Sequence, residues 1–462
     1  MDFPLLVIGA ALVLAYIGAY ILKRLGIPQT LGFMIAGVFL GLTSLLTETG
    51  IHELRFFVAL ALGLIGYNIG HELSNPNLTG ARIRRLVLIV IVEATAAFAL
   101  VAFLTFLILS FVGFSYAVPT AILFGAVASA TAPAATADVV WECDCEGPVT
   151  SSLMFVLAAD DIVAVILTNS AIAFALWVFV SDSLSLGSVI FEPVLGILGS
   201  VGLGLVFGFI FLFPVNSEKD RGKLLELEIG MVILLIGVVE VLNGFLETQG
   251  LLGSFSDIFA AMVFGFLVSS RIDREKEQVP ELLERIMSPI VMIFFVLVGA
   301  RMAQLLSTSE NLLLIVITAA LYLGGRTLAK YFGAAIGGRI VKEAPAIQKY
   351  LGGCLLCQAG VALGLSFIIE ETFVALGDVP LADDALKMGV LILGVVALST
   401  MILEMVGPMA VKISLRAAGE LPEDHDAFEP HGITLLDIAD NKPSSTFDNG
   451  EPTSEIEDEV DD

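Results

Sequence analysis

Apolar runs of about 18 or more residues recur from one end of the chain to the other, separated by short stretches rich in charged residues, Pro and Gly. A helix rises about 1.5 Å per residue, so each run is long enough to cross a hydrocarbon core about 30 Å thick. The pattern predicts thirteen spans, at 3–22, 29–47, 54–73, 86–112, 117–140, 149–179, 188–214, 225–246, 249–269, 286–306, 311–337, 350–376 and 386–411. An all-α polytopic membrane protein follows. Met1–Pro4 carry no basic segment ahead of the first span, which is therefore expected to remain uncleaved.

Polar groups inside these runs are costly, so each one is a functional candidate. The sixth span, LMFVLAADDIVAVILTN, holds Asp160 and Asp161 side by side. Consecutive residues diverge by about 100° around a helix. The two carboxylates therefore face different surroundings, one a cationic partner and the other an aqueous cavity. The fifth span, ILFGAVASATAPAATADVV, contains Ser129, Thr131 and Asp138, and Pro133 cannot continue a helix. The twelfth, CLLCQAGVALGLSFII, is interrupted by Gln358, Gly360 and Gly364. Two interrupted spans seven spans apart mark the midplane site of a secondary transporter. Close packing of small residues also explains such spans, but not the aspartates between them. The eleventh span carries Arg326 near its middle and Lys330 one turn later, where a lysine could snorkel to the interface. Arg326 needs a carboxylate from another helix, and Asp160 or Asp161 meets that need. Glu93, Glu240, Asp257 and Glu404 also fall within spans and rank below the pair.

Composition agrees with the spans: 57% of residues are hydrophobic and 15% charged, against about 25% charged in a soluble domain. Most of the 23 Lys and Arg fall in alternate loops, including Lys23, Arg24, Arg82, Arg84, Arg85, Lys219, Arg271, Arg274, Lys276 and Arg339. The intervening loops hold Arg55, Arg301 and Lys387. By the positive-inside rule the N-terminus lies outside and the C-terminus in the cytoplasm, in what we expect to be a prokaryotic cell membrane. Residues 1–412 form the expected transport domain. From 413 to 462 the chain turns acidic, holding about half of the net charge of −25. Such composition builds no core, so this tail is expected to be disordered and dispensable beyond about Gly419. No nucleotide-binding domain, cofactor or nucleic-acid partner is expected. Cys143, Cys145, Cys354 and Cys357 form two close pairs, which read as small hydrophobes rather than metal ligands.

The motifs S-A-T-A-P, A-A-D-D, G-R-T-L-A-K and C-Q-A-G-V-A-L-G-L, in this order, resemble the monovalent cation/proton antiporter superfamily. L-G-F-M-I-A-G-V-F-L-G and P-I-V-M-I-F-F-V-L-V-G-A are also similar to that family, and the resemblance covers roughly 5–411. It implies a sodium/proton antiporter fold with two inverted five-helix repeats, near 29–179 and 249–411, whose broken helices cross at the midplane. It implies a homodimer braced by a bundle that includes the first span. It also implies that Asp161 takes either cation or proton, that Asp160 pairs with the basic residue of the eleventh span, and that Thr131 is the hydroxyl at the helix break. Two departures stand out. Ala132 occupies a position that is acidic in some relatives, and Arg326 stands where aspartate-pair relatives often have lysine.

A carboxylate facing water binds Na⁺ when ionised and a proton when neutral, and the two occupancies exclude each other. Carbonyls and hydroxyls at an unwound helix complete a hard-cation shell. An intramembrane aspartyl protease also uses two aspartates, but on separate helices with G-x-G-D, which is absent here. A cation channel would need a filter-like loop. The nearer alternative is a K⁺/H⁺ exchanger of the same superfamily; no enzymatic activity is expected.

Overall fold

The computed structural model describes residues 4–24, 27–43, 45–72, 80–179, 186–215, 221–248, 255–271, 279–308, 312–374 and 382–422. Every regular element among them is an α-helix: α1 (Pro4–Arg24), α2 (Gln29–Leu42), α3 (Glu48–Glu53), α4 (Arg55–Glu72), α5 (Gly80–Val112), α6 (Ala117–Ala128), α7 (Pro133–Glu142), α8 (Pro148–Phe179), α9 (Leu186–Val215), α10 (Arg221–Thr248), α11 (Asp257–Ser269), α12 (Val279–Thr308), α13 (Leu312–Ile340), α14 (Pro345–Cys354), α15 (Gly360–Val374) and α16 (Ala382–Ala418). Each expected span coincides with a helix or an interrupted pair. Among the described residues nine helical segments are long and apolar enough to cross a membrane by themselves, while α2 and α11 are shorter apolar helices. The start of the ninth span (249–254), Lys219, Arg274, Lys276 and the tail from 423 onward lie outside the described residues.

Both expected breaks are present, and each has a local cause. Ala132 precedes a proline, which disfavours helical backbone, and it sits at φ −84°, ψ 109°. Pro133 then takes the first position of α7, where a missing N–H costs nothing. The twelfth span separates into α14 and α15, with 355–359 between them around Gln358. The two breaks cross in contact: the Ala132 N–H donates to the Cys357 carbonyl at 3.1 Å.

Helix packing divides the described residues into two bundles. In one, α11 lies against α4 and α9, α12 against α2 and α4, and α1 against α2, with α10 completing the layer. In the other, α5 packs on α13, α6 and α8, while α16 packs on α13, α14 and α15. Between hydrocarbon-solvated helices the drive to associate comes from close van der Waals contact rather than apolar burial. Glycine permits that approach within each bundle. A Cβ on Gly37 of α2 would lie 2.1 Å from the Val296 carbonyl of α12, and one on Gly333 of α13 would lie 2.8 Å from Glu93 Cα of α5. Also on α13, Gly324 faces open space, while a Cβ on Gly325 would lie 2.8 Å from Leu104 Cδ1 of α5.

The boundary at 412 is displaced. α16 runs on to Ala418, and Glu420 folds back onto the N-terminus of α8. Its carboxylate accepts the N–H groups of Val149 at 2.7 Å and Thr150 at 2.8 Å, and the Thr150 hydroxyl at 2.8 Å. The Glu420 carbonyl also accepts the N–H of Glu146. These donors are among those a helix start leaves unsatisfied. A cut after Gly419 would therefore remove a cap from the helix that carries Asp160 and Asp161.

Candidate functional site

The site lies where the breaks cross, and α13 supplies its cations. Tyr322, Arg326 and Lys330 recur every four residues, which puts them on one face, and all three are fully buried. Tyr322 accepts a hydrogen bond from Gln358 Nε2 at 2.8 Å. Arg326 lies at the depth of the unwound segments. Its guanidinium donates to the carbonyls of Leu356 at 2.9 Å, Ala130 at 2.7 Å and Cys357 at 3.1 Å. These carbonyls are freed because α6 and α14 stop there, and a positive charge at two helix C-termini also opposes their dipoles.

The expected Asp160–Arg326 pair is therefore corrected. The ammonium of Lys330 donates to Asp160 Oδ2, and it also donates to the Ser129 carbonyl. Lys330 does not snorkel; it is completely buried. Its Nζ lies 3.0 Å from Glu93 Oε2, so Glu93, ranked low by sequence, joins the cluster. The reason is depth. Lys330 sits one turn beyond Arg326, level with Asp160. A flat guanidinium fork suits several carbonyls, whereas a compact ammonium suits a carboxylate. The lysine expected at the position of Arg326 is thus present four positions later.

Thr131 is where the sequence placed it, its hydroxyl donating to Asp160 Oδ2. Asp161 is buried, about 100° further round α8. Ser129 contributes its carbonyl to Lys330, while its hydroxyl closes onto the Ala126 carbonyl at 2.6 Å. Pro133 shapes the break. Asp138 is corrected: it lies on the exposed face of α7, away from the crossing. Tyr322 went unrecognised, since one aromatic in an apolar run carries no signal by itself; its four-residue spacing from Arg326 and Lys330 was the available clue. The four cysteines join one buried apolar cluster, and burial pushes the Cys145 thiol up to about 12. Among the described residues no group of His, Cys, Asp and Glu could hold a resident metal.

The charges define what the site can do. Asp160, Asp161 and Glu93 oppose Lys330 and Arg326 in a buried cluster. With every group ionised, one negative charge is left over. A low-dielectric interior does not tolerate an uncompensated charge, so the cluster must take up a proton or a cation.

Solved structures of the sodium proton antiporter MjNhaP1 from Methanocaldococcus jannaschii are similar to this chain. The one at pH 8 aligns with a TM-score of 0.70 at 17% identity, covering 90% of this chain and 98% of that one. The one from an electron-microscopy map aligns with a TM-score of 0.64 at 20% identity, covering 89% and 95%. At these identities the likeness is one of fold, and it extends to both ends of the antiporter. No curated protein matches the sequence. Residues 9–412 match the family described as sodium/hydrogen exchanger, transmembrane. With the crossed breaks and buried acidic cluster inside that match, the chain belongs to the sodium/hydrogen exchanger family, a family of membrane cation/proton antiporters.

Proposed function

We propose that the chain exchanges Na⁺ for H⁺ by alternating access, with Asp161 as the carboxylate that takes either ion. The observation that carries this reading is the burial of three carboxylates, Asp160, Asp161 and Glu93, with two cations, Lys330 and Arg326, at the crossing of two broken helices, where full ionisation would leave one negative charge uncompensated. Entry of a monovalent cation balances that charge, and so does a proton, but both together overcompensate it. The likeness to the sodium proton antiporter MjNhaP1 supports Na⁺ as the cargo. Thr131 and the carbonyls of the unwound segments supply neutral oxygen ligands. Li⁺ is a second substrate on the same chemistry.

The cycle exchanges more than one proton. When a cation approaches Asp161, the ammonium of Lys330 becomes the less favoured cation. Lys330, parted from Asp160, then gives up the second proton, because Asp160 is already ionised in that pair and the Arg326 guanidinium stays charged. Two protons against one Na⁺ makes the exchange electrogenic. The N-terminus lies outside, so α4 begins and α12 ends at the outer face. The protein works as a homodimer through the bundle containing α1, whose Leu5, Leu6, Val13, Ile17 and Ile21 are exposed apolar residues.

The test is proton flux in proteoliposomes driven by Na⁺, Li⁺ and K⁺ gradients, with Asp161→Asn as the blank. Na⁺-driven flux that is lost in the blank is the expected result. Flux driven by K⁺ alone would replace this reading with K⁺/H⁺ exchange, and equal flux in the blank would remove Asp161 from the role.

A further inference from the structure

Charged side chains join the two bundles at one end of the fold. Arg301 near the end of α12 and Glu370 near the end of α15 are both buried, with Nε 3.1 Å and a terminal nitrogen 2.5 Å from Glu370 Oε1. Beside them Arg55, the first residue of α4, reaches Glu371 at 3.0 Å, and both of these side chains are about half exposed. α12 and α4 belong to one bundle, whereas α15 is half of a broken helix in the other. These groups line a cavity of about 340 Å³ together with Glu53, Phe367 and Val374. At the opposite end the bundles meet through an uncharged donor, the Thr30 hydroxyl of α2, 2.8 Å from Glu404 of α16.

We propose that Arg301–Glu370 is an outer clasp, and that its rupture is an obligatory step in opening the site to the outside. The inference rests on the alternating-access reading above. Any displacement that carries α15 away from α12 must separate these two charges. Parting a buried pair is strongly opposed unless each charge gains new partners. The cavity supplies them: at about 30 Å³ per water it has room for roughly ten, enough to hydrate both groups as they part. Arg55–Glu371 is already solvated, and such exposed pairs hold weakly. The grip therefore resides in Arg301–Glu370.

The test uses the full chain with a Phe367→Cys reporter, which is nearly inaccessible while the clasp is shut. A membrane-impermeant maleimide is added to right-side-out vesicles, with the parent chain and its four buried cysteines as control. Arg301→Gln and Glu370→Gln should each speed labelling at least about tenfold, as expected for a shifted two-state equilibrium. Arg55→Gln should change it less than about threefold. A second reporter, Thr30→Cys probed in inverted vesicles, should label more slowly in the same clasp variants. Local unfolding would instead raise labelling at both ends. Unchanged labelling at Phe367→Cys, or faster labelling at both ends, overturns the clasp. The readout needs no ion gradient. Failure of every cation to drive exchange would remove the transport reading and leave the labelling result standing.

Discussion

Replacing Glu420 by alanine removes the carboxylate that caps α8 from a position about 270 residues beyond the helix start. Three donors lose their acceptor: two first-turn N–H groups and the Thr150 hydroxyl. Loss of an N-terminal cap costs about 0.5–2 kcal/mol. Loss of a negative charge at a helix N-terminus adds about 0.3–1 kcal/mol, and more when partly buried. Val149 is fully buried and Thr150 nearly so, which places the sum towards the upper end, about 2–3 kcal/mol. Spread over a chain of this size, that lowers the melting midpoint by roughly 2–4 °C. The assay is thermal unfolding of monodisperse protein in detergent, comparing Glu420→Ala, Glu420→Gln and a chain ending at Pro422. Gln keeps one acceptor oxygen and loses the charge, so it should fall between Ala and the parent. The chain ending at Pro422 keeps the cap and should melt with the parent. An unaltered midpoint for Glu420→Ala would refute the capping argument, as would an equal loss in the chain ending at Pro422.

Three further outcomes follow from the site. Asp161→Asn should abolish Na⁺-dependent proton flux in proteoliposomes while the protein still elutes as a folded species; near-normal flux would reject the assignment. Arg326→Gln should leave the Leu356 and Ala130 carbonyls without a donor, the Cys357 carbonyl keeping the Ala132 N–H, and lower stability by at least about 2 kcal/mol, at roughly 1–3 kcal/mol per orphaned group, whereas Arg326→Lys should lose less; a parental melting curve for Arg326→Gln would contradict this. Exchange should respond to a potential imposed with K⁺ and valinomycin, and Asp160→Asn should shift it towards one proton per Na⁺; parental rates indifferent to voltage would exclude a second proton.

The spans, the two breaks and the aspartate pair were legible in the sequence because each depends on local chemistry. Apolar run length is set against bilayer thickness, Pro133 blocks a helix wherever it falls, and adjacent aspartates in such a run are costly in any fold. What the aspartates meet was not local. Asp160 and Lys330 are separated by 170 residues, and their pairing depends on the depths at which α8 and α13 settle beside the crossing. A shift of one turn, about 5.4 Å, exchanges Arg326 for Lys330 at the carboxylate, and nothing along either helix specifies that shift. The crossing of the breaks decides it, because the carbonyls of Ala130, Leu356 and Cys357 claim the guanidinium and leave the ammonium for Asp160. Glu420 and Glu370 were hidden for the same reason. An acidic residue at a helix end or in a tail reads as solvated until tertiary packing brings unsatisfied N–H groups or a buried arginine to it.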